Sequence, residues 1–244
     1  MPQRSRLATL LPSSLLKGEL MVRLVLLSCL LALMGTLRAS AHPHVWVDAA
    51  AEVMFDEAGS IVAIRHAWRF DEAFSSYLML GLDLNGDGVY SREETAELAE
   101  TNVTSLADFH FFTSMAGAAT TDRLGDLYSE TFGTPVDYYL EHDGVHTTLH
   151  FTLPLDQPVE AQAHDLVILD IFDPEYFVAF SLVETDPIQM ANAPAGCGLT
   201  VDEPPPLDDS YASILSMIPA EEAVPEELLS VTTQLANRAR IVCT

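Results

Sequence analysis

Apolar and polar residues alternate along the first strongly patterned stretch of the chain, from Val45 to Phe55. A second run, rich in β-branched and aromatic residues, extends from Ile61 to Phe70, and a turn containing Gly59 separates the two runs. Because a period of two is typical of strands with one buried face, the pattern predicts a β-hairpin. His66 falls on the apolar face of the second strand, where a hydrogen-bonded core histidine is favoured over a metal ligand.

A helical pattern follows this hairpin. Apolar residues between Phe74 and Leu82 recur at helical spacing, which predicts a helix. Ser91 and Glu94 form the S-x-x-E pattern of a capping box, so a second helix is expected to begin there and to continue towards Leu106. The sequence therefore predicts a helix, a loop and a helix inserted after the hairpin.

The loop between these two helices, residues 83–94, has the spacing of an EF-hand calcium loop. Such loops have twelve residues, supply oxygen ligands from positions 1, 3, 5, 7, 9 and 12, and turn at a glycine in position 6, which is Gly88 here. The alternative is a surface turn rich in Asp, Asn and Gly that binds no ion. A single loop of this kind favours calcium as a structural ion. The predicted Ca²⁺ ligands are Asp83, Asn85, Asp87, the carbonyl of Val89, Ser91 and Glu94.

A second hairpin is predicted for residues 136–153, with Asp143 and Gly144 as its turn. A two-residue Asp-Gly loop is typical of a type I′ turn, which would place His142 opposite Val145. Two hypotheses stay open for the polar face of this hairpin: a transition-metal site, or a solvated face with cross-strand polar pairs. That face is predicted to carry Asp137, Glu141, His146 and His150.

The remaining pattern predicts further strands and one helix. Two almost continuously apolar strands are expected at the centre of the sheet, with a turn beginning at Asp173 and Pro174 between them. The whole pattern predicts an α+β fold: a mostly antiparallel β-sheet with an inserted EF-hand-like helix-loop-helix and a C-terminal helix. These elements are strands at 166–172 and 177–183, a short strand at 198–202, a helix from Pro225 to about Ala236, and an edge strand at 241–243.

Residues 1–41 have the pattern of an export signal peptide. Arg23 precedes an apolar run, and small residues form a cleavage site that ends at Ala41. The apolar run is shorter than the roughly 20 residues that a membrane span needs, and Met21 is an alternative start of translation. The sequence therefore predicts an exported chain that is cleaved after about Ala41 and does not insert into the membrane.

The mature chain is predicted to hold one α+β domain at 42–202, with the calcium-loop insertion at about 71–106. A linker rich in proline and acidic residues and a C-terminal helix follow at 203–244. Because an exported chain meets an oxidising compartment, Cys197 and Cys243 are expected to form a disulfide that ties the C-terminus back to the domain.

Charge limits the partners of the chain. The full sequence has a formal net charge of −25, and the part after Ala41 holds 6 arginines, no lysine and 35 acidic residues, which gives −29. Nucleic acids and anionic lipids attract clusters of basic residues, so neither is an expected partner. Such acidity instead favours cations.

Five short motifs occur in one order along the chain: His42-Pro43-His44-Val45-Trp46, Trp68-x-Phe70-Asp71-Glu72, the 83–94 loop, Asp173-Pro174-x-Tyr176-x-Val178 and Pro194-Ala195-Gly196-Cys197. In this order they resemble a bacterial periplasmic family, the domain-of-unknown-function family numbered one thousand and seven, which is labelled the periplasmic component of an uncharacterised transport system. The resemblance covers most of the mature chain and implies export to the periplasm and association with a membrane metal transporter of the nickel/cobalt or zinc type. It implies no reaction.

The histidines offer a chemical basis for that association. Cleavage would leave His42 first in the chain, with an α-amine and an imidazole that can chelate one metal ion. His44, His146 or His150 would complete a nitrogen-rich site suited to Ni²⁺, Zn²⁺ or Cu²⁺. Pro43 lacks the N–H that the common amino-terminal copper/nickel motif deprotonates at its second position. The alternative is that both amino-terminal histidines belong to a mobile remnant of cleavage.

Three functional hypotheses follow. The preferred one is a periplasmic metal-binding accessory of a transition-metal transport system, with calcium as a structural ion. The second is a calcium-stabilised binding or interaction module without transition-metal function. The third is a copper oxidase that uses His42 as an amino-terminal chelate. Because the sequence has no nucleophile elbow, phosphate loop or H-E-x-x-H helix, we expect a protein that is not an enzyme.

Overall fold

The computed structural model describes residues 42–118, 131–164, 166–219 and 222–244, and these residues form two β-sheets with four α-helices. The predicted α+β class, with mainly antiparallel sheets and a C-terminal helix, is confirmed. The helices are α1 (Glu72–Leu78), α2 (Arg92–Ser105), α3 (Asp209–Leu215) and α4 (Glu226–Thr232). The strands are β1 (Val45–Phe55), β2 (Ser60–Phe70), β3 (Thr113–Ala118), β4 (Val136–His142), β5 (Thr147–Glu160), β6 (Leu166–Ile171), β7 (Val178–Leu182), β8 (Ile188–Ala191), β9 (Cys197–Asp202) and β10 (Asn237–Cys243).

The first sheet is built around the predicted hairpin of β1 and β2. Its strand order is β4-β5-β2-β1-β7, and β8 also pairs with β1. The pairs of β1 with β7 and with β8 are parallel, and the other pairs are antiparallel. Every second residue of β1 from Val45 to Phe55 is buried, as the alternation predicts. In β2 the register shifts between Ile61 and Ala63, so Ile61 is buried in place of Val62.

The second sheet has the order β3-β6-β10-β9 and is antiparallel throughout. Its apolar residues, among them Met115 and Leu169, share one hydrophobic core with the inner face of the first sheet. Asp170 of β6 is fully buried, and Arg238 of β10 donates two hydrogen bonds of 2.8 and 2.7 Å to its carboxylate. A charged residue can occupy this position because its partner satisfies both oxygens.

The C-terminal segment enters the second sheet more deeply than the sequence predicts. The predicted edge strand of three residues is β10, which has seven residues and lies between β6 and β9. The charges of Arg238 and Arg240 conceal the strand pattern, and in the fold each pairs with an aspartate of a neighbouring strand. Conversely, β7 is predicted at the centre of a sheet and lies at the edge of the first one. Helix α3 occupies part of the predicted extended linker.

The predicted register of the second hairpin is wrong. His142 lies opposite Thr147 instead of Val145, so four residues form the loop instead of two. The Asp143 carboxylate accepts hydrogen bonds from the N–H groups of Val145 and His146, at 2.9 and 2.7 Å, and so organises a wider turn. As a consequence, His146 belongs to the turn and not to β5.

The predicted signal peptide, residues 1–41, lies outside the described residues, as does most of the loop expected at 117–134. None of the described helices is both long and apolar enough to cross a membrane.

Candidate functional site

The amino-terminal end of β1 holds two histidines side by side. His44 donates its backbone N–H to the carbonyl of Phe177, at 2.8 Å, and its ring stacks on the Phe177 ring with centroids 4.6 Å apart. The ring centroids of His42 and His44 are 5.4 Å apart in an edge-to-face arrangement. The sequence predicts both residues as metal ligands, and the fold brings them together. We call His42 and His44 the histidine pair.

The histidine pair has unused hydrogen-bonding capacity. His42 is only 5% exposed, and neither of its ring nitrogens has a hydrogen-bond partner. His44 Nε2 is also buried and unpaired. Buried polar atoms normally have partners, because leaving one unpaired costs roughly 1–3 kcal/mol. Unpaired nitrogens on two adjacent imidazoles are therefore the strongest sign of a ligand site in the described part of the chain.

A cavity of about 440 Å³ lies beside His42, on the inner face of the first sheet. Its walls are mostly aromatic and aliphatic, and we call it the aromatic cavity. Trp68 belongs to its wall and has an unpaired, buried Nε1. The aromatic wall residues are Trp68, Phe70, Phe74, Phe109, Phe112, Phe177 and Phe180.

Carboxylates also line the aromatic cavity. Asp173 is 4% exposed, and its two oxygens accept N–H hydrogen bonds from Glu175 and Val178, each of 2.9 Å. Burial raises the pKa of Asp173, although these hydrogen bonds oppose the shift. Glu175 is half-buried and Glu222 is exposed, so acidic side chains extend from the interior of the cavity to the protein surface.

The 83–94 loop follows helix α1, ends in the first turn of α2 and has several features of the predicted calcium loop. Gly88 has a φ of +78°, which a glycine adopts without strain. The Asp83 carboxylate accepts N–H hydrogen bonds from Gly86, Asp87 and Gly88, which fold the loop around it. The six predicted ligand residues thus share one compact loop, and calcium binding there remains a prediction.

The Glu94 carboxylate already accepts hydrogen bonds from the protein. The capping box predicted with Ser91 is present, and the Glu94 carboxylate also accepts hydrogen bonds from the N–H groups of Leu84 and Asn85. The hydrogen bond from the Ser91 backbone is the largest of several influences that lower the pKa of Glu94. A Ca²⁺ ion that recruited both oxygens of this carboxylate would compete with these hydrogen bonds.

His146 and His150 lie away from the histidine pair. His150 contacts Glu141, with 3.3 Å between Nε2 and Oε2, and burial lowers its pKa. His146 Nδ1 lies 2.8 Å from a guanidinium nitrogen of Arg69. Both are on the face of the first sheet opposite the aromatic cavity. His150 is paired with Ala67, which alternates with Trp68, and His146 contacts Arg69, which lies between Trp68 and Phe70. The four predicted transition-metal ligands therefore form two separate sets.

Neither set is a complete metal site by itself. Within the described residues, no group of three or more His, Cys, Asp or Glu side chains is arranged to hold a metal ion. Cys197 and Cys243 form the predicted disulfide and are therefore not thiolate ligands.

The aromatic cavity is not apparent from the sequence. Local patterns place Phe70 in the second strand and Asp173 in a turn, and the fold has both residues there. The cavity arises because β2, α2, β7 and the segment before α4 meet, which no single pattern reveals. The only available signal was the set of ordered motifs, since the amino-terminal, Trp68 and Asp173 motifs all contribute to the cavity wall.

Fold and site together define an α+β protein with two β-sheets, an aromatic cavity and a buried histidine pair at the entry of the first strand. A family model described as protein of unknown function, DUF1007, matches residues 27–243, so the chain belongs to this family. This confirms the family predicted from the ordered motifs. No curated protein matches the chain.

Proposed function

We propose that this protein is an exported, non-enzymatic metal-binding accessory of a transition-metal transport system, and that the histidine pair binds the metal. The observation that supports this proposal best is the buried His42 imidazole. Neither of its two nitrogens has a hydrogen-bond partner, and the His44 imidazole beside it has an unpaired Nε2.

The chemistry of the histidine pair suits a transition metal. Imidazole is a preferred ligand of Zn²⁺, Cu²⁺ and Ni²⁺, with metal-nitrogen distances of about 2.0–2.1 Å for zinc. Two imidazoles on one such ion place their ring centroids roughly 5 Å apart, close to the 5.4 Å between His42 and His44. Removal of the predicted signal peptide would add the α-amine of His42 as a third nitrogen.

Metal titration tests this proposal. Metal-free protein purified from a periplasm, with its amino terminus sequenced, is titrated with Ni²⁺, Zn²⁺ and Cu²⁺ by calorimetry. We expect binding of at least one ion tighter than millimolar, and a loss of more than about tenfold in affinity in a His42→Ala, His44→Ala variant.

His146 and His150 provide the matched control. A His146→Ala, His150→Ala variant removes the same number of imidazoles from the opposite face of the first sheet and should bind the metal as the native protein does. Absence of submillimolar binding in the native protein, or an equal loss in the two variants, would contradict the proposal.

Calcium at the 83–94 loop is the second part of the proposal, with a structural role between α1 and α2. It is supported by the glycine conformation at Gly88 and by the folding of the loop around Asp83. The geometry also gives a reason for modest affinity, because Glu94 must give up hydrogen bonds that it makes without the ion. Extracellular calcium modules bind with Kd values of about 10⁻⁴–10⁻³ M.

The melting temperature should therefore rise with calcium. At 10 mM Ca²⁺ these affinities correspond to roughly 1.4–2.7 kcal/mol of added stability. Asp83→Ala with Glu94→Ala should abolish the rise, whereas Glu93→Ala, which changes an adjacent exposed carboxylate, should keep it. The calcium-dependent rise, measured by calorimetry, is the relevant quantity, because losing the Glu94 cap also lowers the starting stability. A double variant that kept the whole rise would exclude this loop.

A further inference from the structure

The aromatic cavity has the size and the walls of a small-molecule site. Its volume of about 440 Å³ lies within the range of roughly 300–1,000 Å³ that is typical of ligand pockets. Phe109 is 54% exposed and stacks on Phe112, with centroids 5.4 Å apart, so an aromatic pair extends from the cavity wall to the surface. The cavity is therefore connected with the surface on the side of Phe109.

The charged residues that line this cavity all have the same sign. Asp173, Glu175 and Glu222 line it, and no lysine or arginine among the described residues does. Asp173 is the informative member, because a carboxylate that is 4% exposed would normally pair with a basic side chain. Its oxygens instead accept backbone N–H groups from Glu175, Val178 and Phe177, which leaves the carboxylate with capacity for one further donor.

His42 adds an independent indication. It is only 5% exposed, it lines the cavity, and both of its ring nitrogens are unpaired. An imidazole nitrogen without a hydrogen is an acceptor, so His42 and Asp173 can both accept hydrogen bonds from an ammonium group.

We propose that the aromatic cavity binds a small organic cation, an amine with an apolar body. Aromatic faces attract cations through the ring quadrupole, and burial strengthens that attraction. An ammonium group beside Asp173 would also compensate for the desolvation of this buried carboxylate. Anionic ligands are disfavoured because the described wall carries three carboxylates and no lysine or arginine that could pair with them. This inference does not depend on metal binding by the histidine pair.

Three probes of nearly equal size, differing in charge, test the proposal. Phenethylamine is cationic, 2-phenylethanol is neutral and phenylacetate is anionic at neutral pH. Calorimetry with the mature, metal-free protein is expected to give binding in the order phenethylamine, 2-phenylethanol, phenylacetate. We expect at least a tenfold preference for the amine over the alcohol.

Charge-neutralising variants connect that preference to the cavity. Glu175→Gln with Glu222→Gln should lower the affinity for phenethylamine about tenfold and leave that for 2-phenylethanol unchanged. Glu175 accepts the Val224 N–H at 2.8 Å, and the side-chain carbonyl of a glutamine can still accept it, so the fold is expected to persist. Glu226→Gln changes an exposed carboxylate that does not line the cavity and should leave both affinities unchanged.

The outcomes separate this proposal from the metal proposal. If phenethylamine does not bind at millimolar concentration, or binds no better than the alcohol or the acid, the organic-cation proposal is wrong, whatever the metal titration gives. If Glu226→Gln lowered the affinity for phenethylamine as much as the cavity variants do, the preference for the amine would come from the general acidity of the chain. That result would also overturn the organic-cation proposal. A loss of metal binding in the His42 and His44 variant bears only on the metal proposal.

Discussion

Replacing Cys197 and Cys243 by serine is expected to lower the free energy of unfolding by about 3–4 kcal/mol. The disulfide joins residues 46 positions apart in sequence, and the chain-entropy model assigns about 4 kcal/mol to closing a loop of this length in the unfolded chain. The two cysteines lie directly opposite each other on β9 and β10, so serine leaves the strand pairing intact. Urea unfolding monitored by circular dichroism measures the difference.

Reductant provides the control for this prediction. The native protein in dithiothreitol should unfold at the same urea concentration as the serine variant, while the variant itself should be insensitive to dithiothreitol. The prediction would be contradicted if the oxidised native protein, the reduced native protein and the serine variant all unfolded at the same urea concentration. That result would mean that the pairing of β10 with β6 and β9, together with the Asp170–Arg238 hydrogen bonds, holds this strand without help from the disulfide.

The consequence would extend to the candidate site, because the chain between the two cysteines contributes to it. Glu222 lines the aromatic cavity, and the backbone of Val224 donates to Glu175 at 2.8 Å. Thr232 of α4 donates its hydroxyl to the carbonyl of Pro174, next to Asp173. The disulfide thus stabilises a segment that covers one side of the cavity.

Sequence patterns correctly predict those elements that are stabilised by residues close to one another in the sequence. The hairpin of β1 and β2 follows from alternation alone, and the capping box at Ser91 forms as expected because its groups lie three residues apart. The turn at Asp173 also forms where proline and aspartate predict it, with Tyr176 donating its N–H to the Asp173 carbonyl at 3.0 Å.

Patterns fail where a side chain or a distant strand decides the outcome. The Asp-Gly turn is predicted as a two-residue loop, but the Asp143 carboxylate captures two backbone N–H groups and widens it. The sequence pattern of β10 is not that of a buried strand, because it contains Arg238. In the fold, Asp170 of the neighbouring strand pairs with this arginine. Three consecutive residues, His110, Phe111 and Phe112, have positive φ angles, which no propensity predicts for aromatic side chains.

The sequence predicts the histidines of the candidate site but not the aromatic cavity beside them. His42 and His44 are identifiable from their position near a cleavage site, and their proximity follows from their spacing on one strand end. The separation of His150 from them follows from the alternation of β5, because neighbouring residues of a strand point to opposite faces of the sheet. His146 lies on the same face as His150 through its contact with Arg69, which depends on the wider turn. The cavity depends on long-range packing and was therefore not predictable.

Acidification from pH 7 to pH 4 is expected to destabilise the native protein by about 3 kcal/mol more than a His66→Gln variant. His66 is fully buried, and burial lowers its pKa from 6.5 to about 3. The unfolded chain takes up a proton on this histidine below pH 6.5, whereas the folded chain does not until about pH 3. Stability contributed by the neutral ring is therefore present above pH 6.5 and is lost as the pH falls towards 3, by roughly 4–5 kcal/mol in total.

The hydrogen bonds around His66 explain why the folded protein resists protonation. The Thr113 hydroxyl donates its hydrogen to the Phe111 carbonyl at 2.8 Å, so its oxygen accepts from His66 Nε2, which lies 3.3 Å away. This assigns the hydrogen to Nε2 and leaves Nδ1 without a partner. A second proton would therefore create an unpaired, buried N–H beside the Phe151 ring, which stacks on the imidazole at 4.8 Å. Glutamine at this position can still donate to Thr113 and does not titrate, so the two proteins should diverge only as the pH falls. Unfolding free energies that differ by a constant amount between pH 7 and pH 4 would exclude His66 as the acid-sensitive group of this core.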